Sequence, residues 1–175
     1  MNPRCVVFGI GNESRGDDAL GPQLLERFKN AIKEEPFFDD FTFISDFQLQ
    51  IEHSLDLEQQ DIAIFIDAAL PPVMLENEAF SFKLIQASKS RSGMTHSLSP
   101  SELMGIAEDF FKSKIEAQSS INLLPKAYLL CIRGYQFELG TEITRKADEN
   151  SKQAFTSLID WVGKEFSLKK RNQCA

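Results

Sequence analysis

Two rhythms of apolar residues alternate along this chain. Val6, Val7 and Phe8 follow Cys5 as a short continuous run that stops at Gly9 and Gly11, which predicts a buried strand ending in a tight loop. Leu20, Leu24, Phe28 and Ile32 then recur every four residues with Leu25 beside them, the stripe of an amphipathic helix that ends near Glu34–Pro36. Pro22 fits that helix only because it lies in the first turn. Phe41 to Ser45, closed by Asp46, and Ile62 to Ile66, closed by Asp67, read as two more strands. Phe80 to Ile85 alternates apolar and polar positions, as a partly exposed, antiparallel edge strand does. Ser99, Pro100, Ser101 and Glu102 form a capping box with proline at the first helical position, and Leu103, Ile106, Ala107, Phe110 and Phe111 continue the helix on one face. Ala127 to Ile132 predicts a last buried strand, and Phe155, Leu158, Ile159, Val162 and Phe166 give a C-terminal helix its apolar side. Strands and helices alternate without a break in composition, so the expected fold is a single α/β domain over residues 1–175. It is a three-layer α/β/α arrangement whose mostly parallel, mixed sheet has about five strands.

Composition narrows what such a domain does. With 19 basic and 26 acidic residues the net charge is −7, which argues against a nucleic-acid partner, because phosphate binding rests on clustered Lys and Arg. No apolar run reaches the roughly 20 residues of a membrane-spanning helix, and the first residues lack a secretory layout, so no membrane insertion and a cytoplasmic location are expected. Cys5, Cys131 and Cys174 are odd in number and not at CxxC spacing, which encodes neither a disulfide framework nor a thiolate zinc site. Cys5 and Cys131 fall inside strand-like runs as small core residues.

Open α/β sheets build their sites beyond the carboxyl ends of the strands. The first strand delivers Gly9-Ile10-Gly11-Asn12 and then Asp17 and Asp18; the second delivers Asp46, the third Asp67, and His96 precedes the capped helix. A dinucleotide fingerprint would need glycine at Ser14, and two acids would stand where a pyrophosphate must sit, so that reading is poor; a Walker loop fails for want of a following GKS or GKT. Helix capping accounts for one of Asp17 and Asp18 and leaves the other unexplained. Asp67 ends a near-continuous apolar strand, where a carboxylate without a partner is costly. His53 lies in a short amphipathic stretch and is expected to be a solvated surface imidazole. His96 is either a plain loop residue or, with two carboxylates, part of an oxygen- and nitrogen-rich set suited to a borderline divalent ion such as nickel or zinc. Neither an HExxH nor a GxSxG motif is present to suggest an ordinary protease or esterase.

The string Gly9-Ile10-Gly11-Asn12-Glu13-Ser14-Arg15-Gly16-Asp17-Asp18-Ala19-Leu20-Gly21 closely resembles the opening motif of the [NiFe]-hydrogenase maturation proteases. Three further stretches match in order: Ile64-Phe65-Ile66-Asp67-Ala68, Thr95-His96-Ser97-Leu98-Ser99-Pro100-Ser101-Glu102-Leu103, and Ile132-Arg133-Gly134-Tyr135-Gln136-Phe137-Glu138-Leu139-Gly140. The resemblance runs from Cys5 to about Val162, with Ala19 standing where many members carry glycine. It implies an endopeptidase that removes the C-terminal extension of a nickel-loaded hydrogenase large-subunit precursor. Asp18, Asp67 and His96 fall on the family's metal-contacting positions and are the residues from which catalysis would also come; Asp46 matches an acidic position that touches substrate. The nickel is carried by the precursor, and zinc or cadmium could stand in for it. An incomplete ligand set of this kind binds a free ion weakly but completes the shell of one that arrives with its own thiolates. Two rivals are a non-catalytic nickel metallochaperone using the same residues, and an amidohydrolase or peptidyl-transfer-RNA hydrolase on a similar scaffold, which the acidic charge disfavours.

Overall fold

A computed structural model describes residues 2–69, 77–89, 98–118 and 124–172. Five strands, β1 (Cys5–Ile10), β2 (Phe41–Asp46), β3 (Ile62–Ala69), β4 (Phe80–Ile85) and β5 (Lys126–Arg133), form one sheet in the order β2-β1-β3-β5-β4. All neighbours are parallel except β4, which runs antiparallel to β5 on the edge and is only partly buried. The helices are α1 (Leu20–Ile32), the single turn α2 (His53–Asp56), α3 (Pro100–Gln118) and α4 (Arg145–Asn172). Among the described residues no helix is long and apolar enough to cross a membrane.

Alternation along each strand divides the core between the two faces of the sheet. Cys5 and Val7 of β1 and Ile62, Ile64 and Ile66 of β3 pack against α1 and α4 through Leu24, Phe28, Leu158 and Val162. Val6, Phe8, Ala63 and Phe65 point the other way and meet Leu103, Met104, Ala107 and Phe111 of α3. Phe8 and Phe65, on adjacent strands, stack with ring centroids 4.9 Å apart. The result is the expected three-layer α/β/α sandwich with a mixed sheet and one antiparallel edge strand.

The capping box forms as the sequence predicts: Glu102 accepts hydrogen bonds from the Ser99 backbone N–H at 2.8 Å and its hydroxyl at 2.7 Å, and donates its own N–H to Ser99 Oγ at 3.3 Å. One strand end differs from expectation. β3 does not stop at Ile66 but runs through Asp67 to Ala69, because β5 is long enough to pair with it there, Asp67 opposite Cys131 and Ala69 opposite Arg133. Asp67 is therefore held inside the ladder, on a backbone with fixed direction. Cys5 and Cys131 are buried free thiols, and burial raises the former well above its ordinary value and the latter to about 11. Cys174 lies outside the described residues.

Helix α1 lies directly on the ends of β1 and β3. A Cβ at Gly21 would collide with the carbonyl oxygens of Ile10 and Ile66, both fixed in the sheet. Gly21→Ala is accordingly expected to destabilise the protein by about 3 kcal/mol or more, at the upper end of overpacking costs. Gly163, in the exposed side of α4 with open space around it, should respond in the opposite sense: Gly163→Ala is expected to stabilise by about 0.5–1 kcal/mol from helix propensity alone. Urea denaturation midpoints of the two variants read both effects.

Candidate functional site

The chain leaves β1 through Gly11, whose φ of +140° is open to glycine and whose missing Cβ makes room for the Asp18 carbonyl oxygen. Gly11 N–H donates to the Asp46 carbonyl oxygen at 3.1 Å, which ties the loop to the end of β2. The loop then closes on itself: Asn12 N–H donates to Asp18 Oδ2 at 2.9 Å, fixing the direction of that carboxylate. No side chain caps either the 3-10 turn Gly16–Ala19 or α1 behind it, so capping of α1 is the role of neither aspartate.

Asp67 stands on the neighbouring strand. Its Oδ1 accepts the Ala68 N–H at 2.8 Å. Burial, reinforced by the negative charge of Asp18, pushes its carboxyl from 3.8 up to about 7 against the opposing pull of that N–H group. Asp18 and Asp67 open on one cavity of about 500 Å3, walled by the apolar Phe47, Phe65 and Leu98 together with Glu102. Among the described residues no Lys or Arg lines it. Two carboxylates in such a place can share a proton or take a cation between them. Among the described residues no group of three or more His, Cys, Asp or Glu side chains is gathered to hold a metal ion. His96 lies outside the described residues; Leu98, Ser99, Pro100 and Glu102, which follow it, line the same cavity.

Asp46 sits beside that cavity and not in it. It lines an adjoining hollow of about 540 Å3 with Asn12, Glu13 and Ser14, and the two spaces share Gly11 and Phe47. Its Oδ1 accepts the Phe47 N–H at 2.6 Å, and its Oδ2 stands 3.5 Å from Nε2 of His53. His53 is buried, contrary to the expectation of a solvated imidazole. Its Nδ1 accepts the Gln50 N–H at 2.9 Å, which assigns the ring proton to Nε2 on the Asp46 side, and its ring meets Phe8 edge-on at 5.6 Å. The physical reason is that exposed Ile51 and Leu55 carry the outer side of this short stretch, while His53 and Ser54 turn inward.

Asp17, fully buried, makes no contribution to the wall of the cavity. Its carboxylate accepts N–H groups from Tyr135 at 2.7 Å, Gln136 at 3.1 Å and Thr144 at 2.6 Å, and the Thr144 hydroxyl at 2.9 Å. Thr144 Oγ1 in turn accepts the Ala147 N–H at 3.3 Å in the first turn of α4. The first aspartate of the pair thus serves the start of the last helix, not of the first. Sequence reasoning passed over several residues of the cavity wall, among them Phe47, Glu102 and Phe137. Glu102 carried a signal, since a capping box beside the His96 segment fixes where its carboxylate lies.

The raised carboxyl of Asp67 makes a pH test possible. Between about 3.8 and about 7 the folded chain keeps a proton that the unfolded chain has lost, so this group's contribution to stability falls as pH rises through that window. Asp67→Asn removes the effect. The variant is expected to gain on the wild type by up to about 1.4 kcal/mol per pH unit between pH 4 and 7, with no further gain above it. Urea denaturation of both proteins from pH 4 to 8 measures the difference.

No family model and no curated protein matches the sequence. Solved structures match nearly all of it. The [NiFe] hydrogenase maturation protease HycI from Thermococcus kodakarensis KOD1 is similar with a TM-score of 0.60 and 19% identity, over 90% of this chain and 91% of that one. The hydrogenase maturating endopeptidase HybD from E. coli gives 0.59 and 19%, over 92% and 93%. The endopeptidase HycI from Escherichia coli gives 0.59 and 16%, over 93% and 92%. At these identities the likeness is one of fold. The chain therefore has the fold of the solved [NiFe] hydrogenase maturation proteases.

Proposed function

We propose that this protein is a hydrogenase maturation endopeptidase, which removes the C-terminal extension from a nickel-loaded [NiFe]-hydrogenase large-subunit precursor. The observation that carries the reading is the convergence of Asp18 and Asp67 on one cavity with no cationic side chain among the described residues of its wall. A fold shared with solved maturation proteases and the four sequence stretches that resemble that family support it.

In this reading the nickel belongs to the substrate. It arrives bound to the precursor's own ligands and takes Asp18 and Asp67 as additional oxygen donors, with His96 as the third by resemblance. Two acids that repel each other when both are ionised lose that repulsion when the ion enters, which makes a loaded precursor a better ligand than an empty one. Held there by Asp18 and Asp67, the ion would supply polarisation of the scissile carbonyl or of the attacking water. Asn12 N–H keeps Asp18 directed during that encounter, and the Ala68 N–H does the same for Asp67. Asp46 lines the adjoining hollow that shares Gly11 and Phe47, which supports its reading as a substrate contact.

Mixing the protein with a candidate precursor, with and without nickel, and weighing the products by mass spectrometry tests the proposal. Cleavage of the loaded precursor alone is expected, with rates at least about 100-fold lower for Asp18→Asn, Asp67→Asn and His96→Ala, the scale of losing one electrostatic contact in a reacting site. A loaded precursor left whole, while the isolated protein binds nickel tightly, would identify a metallochaperone instead. Wild-type rates in all three variants would remove the site assignment.

A further inference from the structure

Resting on that reading of the cleft, the geometry points to a second task for the motif at its mouth: we infer that Asp17 is a positioning residue, which sets both the Asp18 turn and the Phe137 wall of the cavity. A buried carboxylate on an apolar sheet edge is expensive unless its oxygens are filled, and here four donors fill them. All four come from one segment, Tyr135 to Thr144, far away in sequence. That segment and the motif are zipped together further by the backbone: Asp17 N–H donates to the Gln136 carbonyl oxygen at 2.8 Å, Gly16 N–H to that of Thr141 at 3.1 Å, and Gly140 N–H to that of Ser14 at 2.7 Å.

Phe137 lies at the centre of the zipped segment. Its ring occupies the space above Gly134, where a Cβ would stand 2.5 Å from Cζ and 3.0 Å from the Asp17 Cβ, and it reaches the cavity that Asp18 and Asp67 share. Arg15 adds a clasp from the rim, its Nε donating to the Phe137 carbonyl oxygen at 3.2 Å. Asp17 and Asp18 are adjacent on a 3-10 turn, so a carboxylate anchored at the first fixes the direction of the second. Asparagine cannot replace Asp17 without loss. Its amide offers one acceptor oxygen, and its NH2 group would face an N–H donor. The same anchoring explains why two consecutive acids differ so much in burial: one is consumed by the scaffold so that its neighbour stays available.

The test compares Asp17→Asn, Thr144→Val and Thr144→Ser with the wild type and with Leu158→Ala, a core change in α4 away from the cleft. Cleavage of nickel-loaded precursor is followed well below every melting temperature. Asp17→Asn should lower kcat at least tenfold and Thr144→Val several-fold. Thr144→Ser, which keeps the hydroxyl donor, should restore the wild-type rate, and Leu158→Ala should keep it despite its lower melting temperature. NMR supplies a readout independent of catalysis. Contacts between the Phe137 ring and Gly134, and the Asp18 and Asn12 amide shifts, should change in Asp17→Asn and Thr144→Val and persist in Thr144→Ser. Unchanged ring contacts and amide shifts in both would overturn the inference, as would a kcat loss no greater than that of Leu158→Ala. Where Asp17→Asn does not fold, the Thr144 pair decides. A wild type that leaves the precursor whole overturns the proposed function, while the NMR comparison still decides the positioning role.

Discussion

Parallel pairing between β1 and β3 is the constraint on which the site depends. With Gly9 opposite Ile66, the two strands end at the same edge, and whatever follows them must share the space beyond it. The chain places one acid in the loop beyond β1 and another in β3, just past its last pairing with β1. Their mutual repulsion, in a hollow with apolar walls, would push them apart if either were free to move. Asn12 N–H and Ala68 N–H hold them instead, one by a loop that only glycine at position 11 permits, the other from within a ladder continued by β5. The repulsion is thus stored in a rigid frame, and it is relieved by a proton or by a cation.

Much of this was legible in the residues. Continuous apolar runs between glycines and aspartates can be read as buried parallel strands because both faces of such a strand are covered, and the alternating Phe80–Ile85 run betrays an edge because only one face is. The capping box located the start of α3 to the residue, since Ser99 and Glu102 satisfy each other locally and need nothing from the rest of the fold. Local chemistry of that kind survives into the structure unchanged.

What the residues could not convey was long-range. The extension of β3 past Ile66, and with it the place of half-buried Asp67 inside the ladder, depends on the length of β5, some sixty positions away. His53 turns inward because Asp46 and Phe8 await it, neither of which shows in the periodicity of its own segment. Asp17 and Asp18 look interchangeable along the chain; only the donors on Tyr135, Gln136 and Thr144 distinguish them. A carboxylate's role is written by the groups that reach it.

The path of α4 bears on how the protein meets something large. The 28-residue helix starts beside Asp17 at the site edge and runs back across the sheet, so that Phe166 packs on Phe41 at the beginning of β2, ring centroids 4.7 Å apart. β1 likewise begins at that far edge, Cys5 lying opposite Phe41. The start of the first strand and the distal half of the last helix therefore sit behind the cleft. A label or tether joined there leaves the front open for a whole folded protein to approach.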